Sequence, residues 1–335
     1  MNRSRWIRFA AGAAMCLLSA SSFAADNYTI LGGPIGGAWY RIVSGLASIV
    51  HQSDPSINLK ALPGGGVANP ARVGNGSADF AITLTVPTVL AIRGKEMYPQ
   101  KFPDIRALAF GFSPLYLQVV VPKDFPYNTL AEALAHRYKL EIAAPSGSTF
   151  GNWITKWLLH HYGTSPRAIR AAGGAFYQVS HAQQAEMLQD KRVNMMITLE
   201  SIPTPSVIQV GSQRNIRILD LAPDTRAEMV KVFGFQKAAI DKTTYKDVSH
   251  LVLPPQVNTV AMSSGIIVNS KVPEKVVYAV TKALYANAAE VQQVHPSLAD
   301  FQPDQVARSK YRADGTIKLA AGARKYIEQK GYPLH

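Results

Sequence analysis

The sequence predicts an α/β protein of two lobes, and three observations carry that prediction. Short β-type runs alternate with helix-period patterns, which is the mark of largely parallel sheets covered by helices. A loop rich in Gly, Ser or Thr follows a strand in three separate places. Two longer strand-like runs, at 115–121 and 260–268, are placed to cross from one α/β unit to the other and back.

The first unit opens with a strand at Tyr28-Thr29-Ile30-Leu31, a turn at 32–37, and a helix whose apolar positions Ala38, Ile42, Leu46, Ile49 and Val50 keep helical spacing. A strand at 57–62 leads into Pro63-Gly64-Gly65-Gly66, and Phe80-Ala81-Ile82 is the third strand. Runs at 107–110 and 115–121 read as two strands separated by Ser113-Pro114. The second unit begins near Leu130, with strands expected at 140–143, 168–171, 195–199 and 216–219. After the run at 259–268 comes a helix with apolar Val276, Val277, Val280, Ala283 and Leu284. The expected division is residues 25–115 and 268–335 in lobe 1 and 116–267 in lobe 2. No internal repeat or low-complexity linker is visible.

The first 24 residues read as a secretory signal peptide. Arg3, Arg5 and Arg8 make a cationic start, residues 9–18 a short apolar run, and Ser22-Phe23-Ala24 a small-x-small cleavage site. A bilayer span needs about 20 apolar residues, more than this run offers. Cleavage after Ala24 or Ala25 would remove the only cysteine, Cys16. Bulky Met15 before it makes a poor lipoprotein site. The exported chain would then contain no disulfide, no thiolate metal site and no thiol nucleophile.

The formal net charge is +13, three charges of which belong to the leader arginines. Scattered basic charge suits an anionic small ligand or a merely soluble surface. An export signal and the lack of any dense Lys/Arg run argue against nucleic acid.

The loop at 32–37 is neither a dinucleotide fingerprint nor a P-loop. Pro34 stands where the fingerprint needs glycine, and no Lys-Ser/Thr follows. What remains is a strand, a glycine turn and a helix start, which offers backbone N–H groups and a positive dipole end to an anion. The same arrangement recurs at Gly65, Gly66 and Asn69, and again at Pro145-Ser146-Gly147-Ser148-Thr149. Open α/β sheets bind ligands at the carboxyl ends of their strands, so two such crevices facing each other would form one cleft. The candidate ligand-binding residues are Gly37, Trp39, Tyr40, Gly65, Gly66, Asn69, Ser146, Ser148, Thr149 and Glu200. Trp39 and Tyr40 are placed on the pocket wall; Phe150, Phe176 and Tyr177 fit wall or core equally. Glu200 ends a strand and is either a cleft acceptor or a solvated loop carboxylate. Arg41 lies on the helix flank, so the loops are the expected main anion seat.

Enzyme signatures are lacking. The eight histidines show no metal-ligand spacing, no Gly-x-Ser-x-Gly elbow occurs, and Ser146 and Ser148 have no evident partner base. The reading is a binding protein with no catalytic residue and no cofactor or metal. An enzyme on the same scaffold and an adhesion module are the rival classes.

Taken in order, Gly36-Gly37-Ala38-Trp39-Tyr40, Gly64 to Asn69, Gly76-Ser77-Ala78-Asp79, Ala144 to Thr149, Pro203-Thr204-Pro205, Val257-Asn258-Thr259-Val260 and the stretch from Pro273 to Pro296 resemble the TAXI family. These are solute receptors of tripartite ATP-independent periplasmic (TRAP) transporters. The resemblance implies a type II periplasmic-binding-protein fold, a hinge, a glutamate-like or dicarboxylate ligand closed between the lobes, and delivery to membrane subunits driven by an ion gradient. A sensor kinase or another transporter type would be an alternative partner. The chain departs from the family at Gly66, where the family has serine, and at Ala68, where it has an acidic residue. It departs again at Leu84-Thr85-Val86, in place of Gln-Ser-Asp, and at Glu200-Ser201, where small residues are usual.

Overall fold

A computed structural model describes residues 26–33, 35, 38–147, 149–299, 301–304 and 315–334. The leader, Gly37 and Ser148 lie outside the described residues. The chain forms β1 (Asp26–Leu31), α1 (Ala38–Ser53), β2 (Ile57–Leu62), α2 (Ala68–Gly74), β3 (Phe80–Leu84), α3 (Thr85–Arg93) and the long β4 (Ile105–Pro122). It continues through α4 (Leu130–Ala135), β5 (Glu141–Pro145), α5 (Phe150–His161), α6 (Pro166–Ala171), β6 (Ala175–Val179), α7 (His181–Gln189), β7 (Met195–Glu200) and α8 (Pro205–Gly211). Then come β8 (Ile216–Leu219), α9 (Pro223–Phe233), β9 (Gln236–Asp241), the long β10 (Gln256–Asn269), α10 (Glu274–Ala286), α11 (Ala288–Val294) and a last helix, α12 (Ala321–Gln329).

The ten strands among the described residues join one sheet, and its pairing divides into two halves of the same design. The first half runs β2-β1-β3-β10-β4, and the second runs β6-β5-β7-β4 with β8 on the far side of β4. In each half three parallel strands, ordered second-first-third, meet an antiparallel strand that arrives from elsewhere in the chain. The fold is thus the two-lobed α/β architecture, with β4 and β10 as the two crossing segments. Although the sequence shows no repeat, the topology repeats.

The register brings the carboxyl ends of the parallel strands of both halves to one waist. Leu84, the last residue of β3, pairs with Ser264 of β10, and Glu200, the last of β7, pairs with Tyr116 of β4. Tyr116 in turn pairs with Ala261. Along β10 the two strand ends are therefore three residues apart, about 10 Å at the usual strand rise. The β4–β10 ladder shifts register here, between Ser263 and Gly265. Gly111, at φ 100°, turns its N–H onto the Ser263 hydroxyl at 2.8 Å.

Helix α1 forms because its apolar residues recur at three and four positions. It buries Ile42, Val43, Leu46, Ala47, Ile49 and Val50. Gly45 lets α11 approach, since a Cβ there would meet Val294 at 2.5 Å. The C-terminal helices α10 and α11 pack on α1 beside the first half of the sheet.

Two expectations are corrected. Residues 168–171 belong to α6 and not to a strand. The Ser165 side chain caps the Ala168 N–H and Pro166 occupies the first helical turn, so the segment nucleates a helix. The strand follows at Ala175–Val179, after Gly173 takes a left-handed φ of 79°. The runs at 107–110 and 115–121 are likewise not two strands but one, continuous through Pro114, because the missing proline N–H falls within the irregular stretch of the ladder where β4 carries extra residues.

Candidate functional site

At the waist of the first half, Asn69 ties the loops after β1 and β2 to strand β3. It is wholly buried at the start of α2. Its Nδ2 donates to the Gly32 carbonyl after β1 (2.9 Å) and the Ile82 carbonyl of β3 (2.7 Å), and its Oδ1 accepts from the Gly65 N–H after β2 (2.9 Å). Both amide hydrogens are thereby used on the protein's own backbone. Gly64 is the residue that allows this, because a Cβ there would meet Asn69 Oδ1 at 2.3 Å. Gly65 faces open space, with nothing within 4 Å of a Cβ. A Cβ on Gly66 would lie 3.1–3.2 Å from the Trp39 ring, so the half-buried indole covers the loop. Tyr40 is also half-buried, its backbone packed against Gly32. Trp39, Tyr40, Gly65, Gly66 and Asn69 are therefore brought together.

Arg41 is exposed. Burial first, and the Arg41 charge second, lower the pKa of His295 beyond α11.

The second half repeats the clamp with glutamine. Gln184 of α7, fully buried, donates from Nε2 to the carbonyls of Ala143 in β5 (2.9 Å) and Ile197 in β7 (2.8 Å). As Asn69 joins the end of β1 to β3, so Gln184 joins the first strand of its half to the third, though at Ala143 the bond falls within β5 instead of beyond it. The loop after β5 is stiffened by its own side chains. Thr149 Oγ1 caps α5 by accepting from the Asn152 N–H (3.1 Å) and donates to the Ser146 carbonyl (2.8 Å), while Asn152 Nδ2 donates to the Pro145 carbonyl (2.8 Å). Much of the Thr149 hydroxyl's capacity is spent on this turn. Phe150 and Gly151, in the first turn of α5, have no intrahelical acceptor for their N–H groups. Phe150 and Phe176 are core residues, 4% and 7% exposed, whereas Tyr177 is exposed.

Glu200 is a paired strand-end carboxylate. Its Oε1 accepts from Thr198 Oγ1 (2.5 Å) and Ser206 Oγ (2.9 Å) and lies 3.0 Å from His181 Nδ1. The following turn, residues 201–204, is held from below. Gln118 Nε2 donates to Thr204 Oγ1 (2.7 Å), and Tyr245 OH donates to Gln118 Oε1 (2.8 Å). Burial pulls the His181 imidazole toward neutrality, but the hydrogen bond and charge of Glu200 outweigh it and raise its pKa above 6.5. Burial would also raise the Glu200 carboxyl; the His181 bond and charge, with Thr198 and Ser206, hold it below 4.5 instead.

His181 is the residue that sequence reasoning missed. Nδ1 faces the Glu200 and Gln184 oxygens, both at 3.0 Å, which leaves Nε2 without a protein partner among the described residues. The available signal was the capping box of Ser180 and Gln183, which starts a helix at His181 directly after a strand.

Serine at Gly66, the resembled family's residue, would crowd Trp39. We expect Gly66→Ser to cost about 1 kcal/mol, as slight overpacking does. It should also shift Trp39 emission in a background lacking Trp153 and Trp157; an unchanged spectrum would place the indole elsewhere.

Residues 30–331 match the model of the NMT1-like family. The chain belongs to that family. Among solved structures, this NMT1-like protein is similar to the periplasmic binding protein BugD, at 14% identity and a TM-score of 0.47, over 91% of this chain and 97% of that one. It is similar to XAC2383 from Xanthomonas citri, solved bound to ATP, at 12% identity and a TM-score of 0.49, over 91% and 99% of the two chains. For MatC from Rhodopseudomonas palustris, solved with bound malate, the values are 16% and 0.44, over 90% and 97%. No curated protein matches the sequence. Among the described residues of the NMT1-like chain, no group of three His, Cys, Asp or Glu side chains could hold a metal ion. No described helix is long and apolar enough to cross a membrane.

Proposed function

We propose that this NMT1-like protein is a periplasmic solute receptor of the TAXI type, exported by a cleaved leader and bound to no cofactor. It captures a small organic anion or amino acid between its halves and passes it, unchanged, to the membrane subunits of a TRAP transporter. One observation carries the reading: two topologically equivalent sets of strand ends converge on a single waist, where Asn69 ties the loops after β1 and β2 to β3 on one side, and on the other Gln184 ties β5 to β7 while Thr149 and Asn152 brace the loop after β5. Loops fixed in this way present backbone N–H groups to an anion with little ordering left to do on binding.

On the first side the proposed seat is Gly65, which faces open space, and Gly66 beside the Trp39 ring, with Gly37 and Tyr40 as the further candidates. On the second it is Ser146, Ser148 and Thr149 with the start of α5. Glu200, held by His181, offers its other oxygen to a ligand ammonium or hydroxyl. Micromolar affinity needs about 8 kcal/mol, and charge-assisted hydrogen bonds contribute about 1.5–3 kcal/mol each, so three or four suffice once closure is paid for.

The test is native mass spectrometry of the protein purified from its own periplasm, followed by calorimetry with the recovered compound. One small anion or zwitterion per chain is expected, released unchanged, with Ser146→Ala binding it severalfold more weakly. Conversion of the compound by the pure protein would replace the receptor reading with an enzymatic one.

A further inference from the structure

A second concave site lies away from the waist seat. Along α5 the residues Ile154 and Leu158 point into the core, whereas Trp153 and Trp157 are only half-buried and Lys156 and His160 are exposed. With Arg167 and Arg170 of α6 and Gln178 of β6 they line a groove of about 570 Å³. Glu96, on the turn that follows α3 in the other half of the molecule, also lines it.

The indoles are fixed in place from beneath. Trp153 stacks on Phe150 (5.2 Å between centroids, 23° between planes), and Trp157 stacks on His161 (4.9 Å, 19°). Phe233 meets both rings edge-on, at 5.3 and 4.8 Å. Neither indole N–H has a hydrogen-bond partner among the described residues.

The cations are equally unengaged. Lys156, Arg167 and Arg170 have no ion pair or hydrogen bond among the described residues, and Glu96 is the one carboxylate lining the groove. Arg167 and Arg170, three apart on α6, share a helix face. Rigid aromatic faces beside unpaired guanidinium and ammonium groups, in a concavity the size of a small-molecule pocket, define a recognisable chemistry.

We propose that this groove is a second binding site, distinct from the waist seat, for a planar aromatic molecule carrying two or more anionic groups. The ring lies against Trp153 and Trp157, and its anionic groups pair with Arg167, Arg170 and Lys156. Glu96 accepts from a ring N–H or hydroxyl. Since Glu96 belongs to one half and the remaining lining to the other, an occupant touches both.

Calorimetry on the mature chain tests this with benzene-1,3,5-tricarboxylate and benzene-1,3,5-triyl tris(phosphate) as probes. Their relative affinities decide whether the anionic group is carboxylate or phosphate. Three controls accompany them: propane-1,2,3-tricarboxylate has the charge without the ring, benzene-1,3,5-tricarboxamide has the ring without the charge, and hexaglutamate represents an acidic protein segment. We expect one saturable site for at least one probe, with each control weaker by about tenfold or more. Arg167→Ala/Arg170→Ala should weaken the probe about tenfold, and Trp157→Leu severalfold, while Ser146→Ala leaves it unchanged. The arginines are exposed, so their double variant retains the fold even if Trp157→Leu does not. The proposal is overturned if neither probe saturates at millimolar concentration. It also fails if propane-1,2,3-tricarboxylate or hexaglutamate binds as tightly as the probes, or if the arginine variant binds normally. A normal result here with an empty waist would leave the groove standing and remove the receptor reading alone.

Discussion

Replacing Asn69 with leucine is expected to destabilise the protein by about 3 kcal/mol, because a side chain of similar size would remove all three bonds and leave their backbone partners buried. The orphaned groups are the Gly32 and Ile82 carbonyls and the Gly65 N–H. Urea unfolding followed by circular dichroism measures the loss. The two glycine-bearing turns would also be released from each other, so ligand affinity should fall along with stability. Gln184→Leu is the internal comparison. It loses the bonds to Ala143 and Ile197 together with the His181 contact, and should cost a similar amount. If Asn69→Leu unfolds at the wild-type midpoint, the clamp contributes nothing and the loops are held by packing alone.

Glu200→Gln is expected to change the pH dependence of stability in a defined direction. In the folded protein the His181 pKa is raised, so its contribution is fully present below 6.5 and is lost as pH rises through the folded value. The Glu200 pKa is lowered, so its contribution is present above 4.5 and is lost as pH falls through the folded value. The pair therefore stabilises most strongly between the lowered carboxylate pKa and the raised imidazole pKa. Glutamine still accepts from Thr198 and Ser206, so the variant isolates the His181 interaction, worth about 1–2 kcal/mol for a partly buried charged hydrogen bond. Wild type and variant should differ by that amount near pH 6 and converge at alkaline pH. The His181 imidazole resonance should titrate at lower pH in the variant. Equal titration curves would mean that the two side chains do not interact in solution. Because Oε1 is occupied by His181, Thr198 and Ser206, the same substitution should also weaken a cationic ligand group that depends on Oε2.

The parts of this protein legible in its sequence are those governed by local rules. The alternation of strand and helix patterns, outside 107–121 and 168–171, and the Gly-rich turn at 63–66 depend on residues within a few positions of one another, and they stand where the pattern places them. At 165–171 two local signals compete, and the helix start is the stronger. Ser165-Pro166 is a helix start, yet the apolar look of the next residues suggested a strand. Long-range matters were settled by tertiary structure alone. Asn69 reads as one polar residue among several in a loop motif, and only the closeness of three strand ends turns it into a buried clamp. His181 and Glu200 are separated by β7 and most of α7 in sequence, and parallel pairing of β5 with both β6 and β7 sets their helix and strand ends side by side. The repeated design of the two halves is equally invisible to sequence comparison within the chain. Strand order depends on which edges meet, and many side-chain sets satisfy the same edges, so the topology recurs while the residues do not.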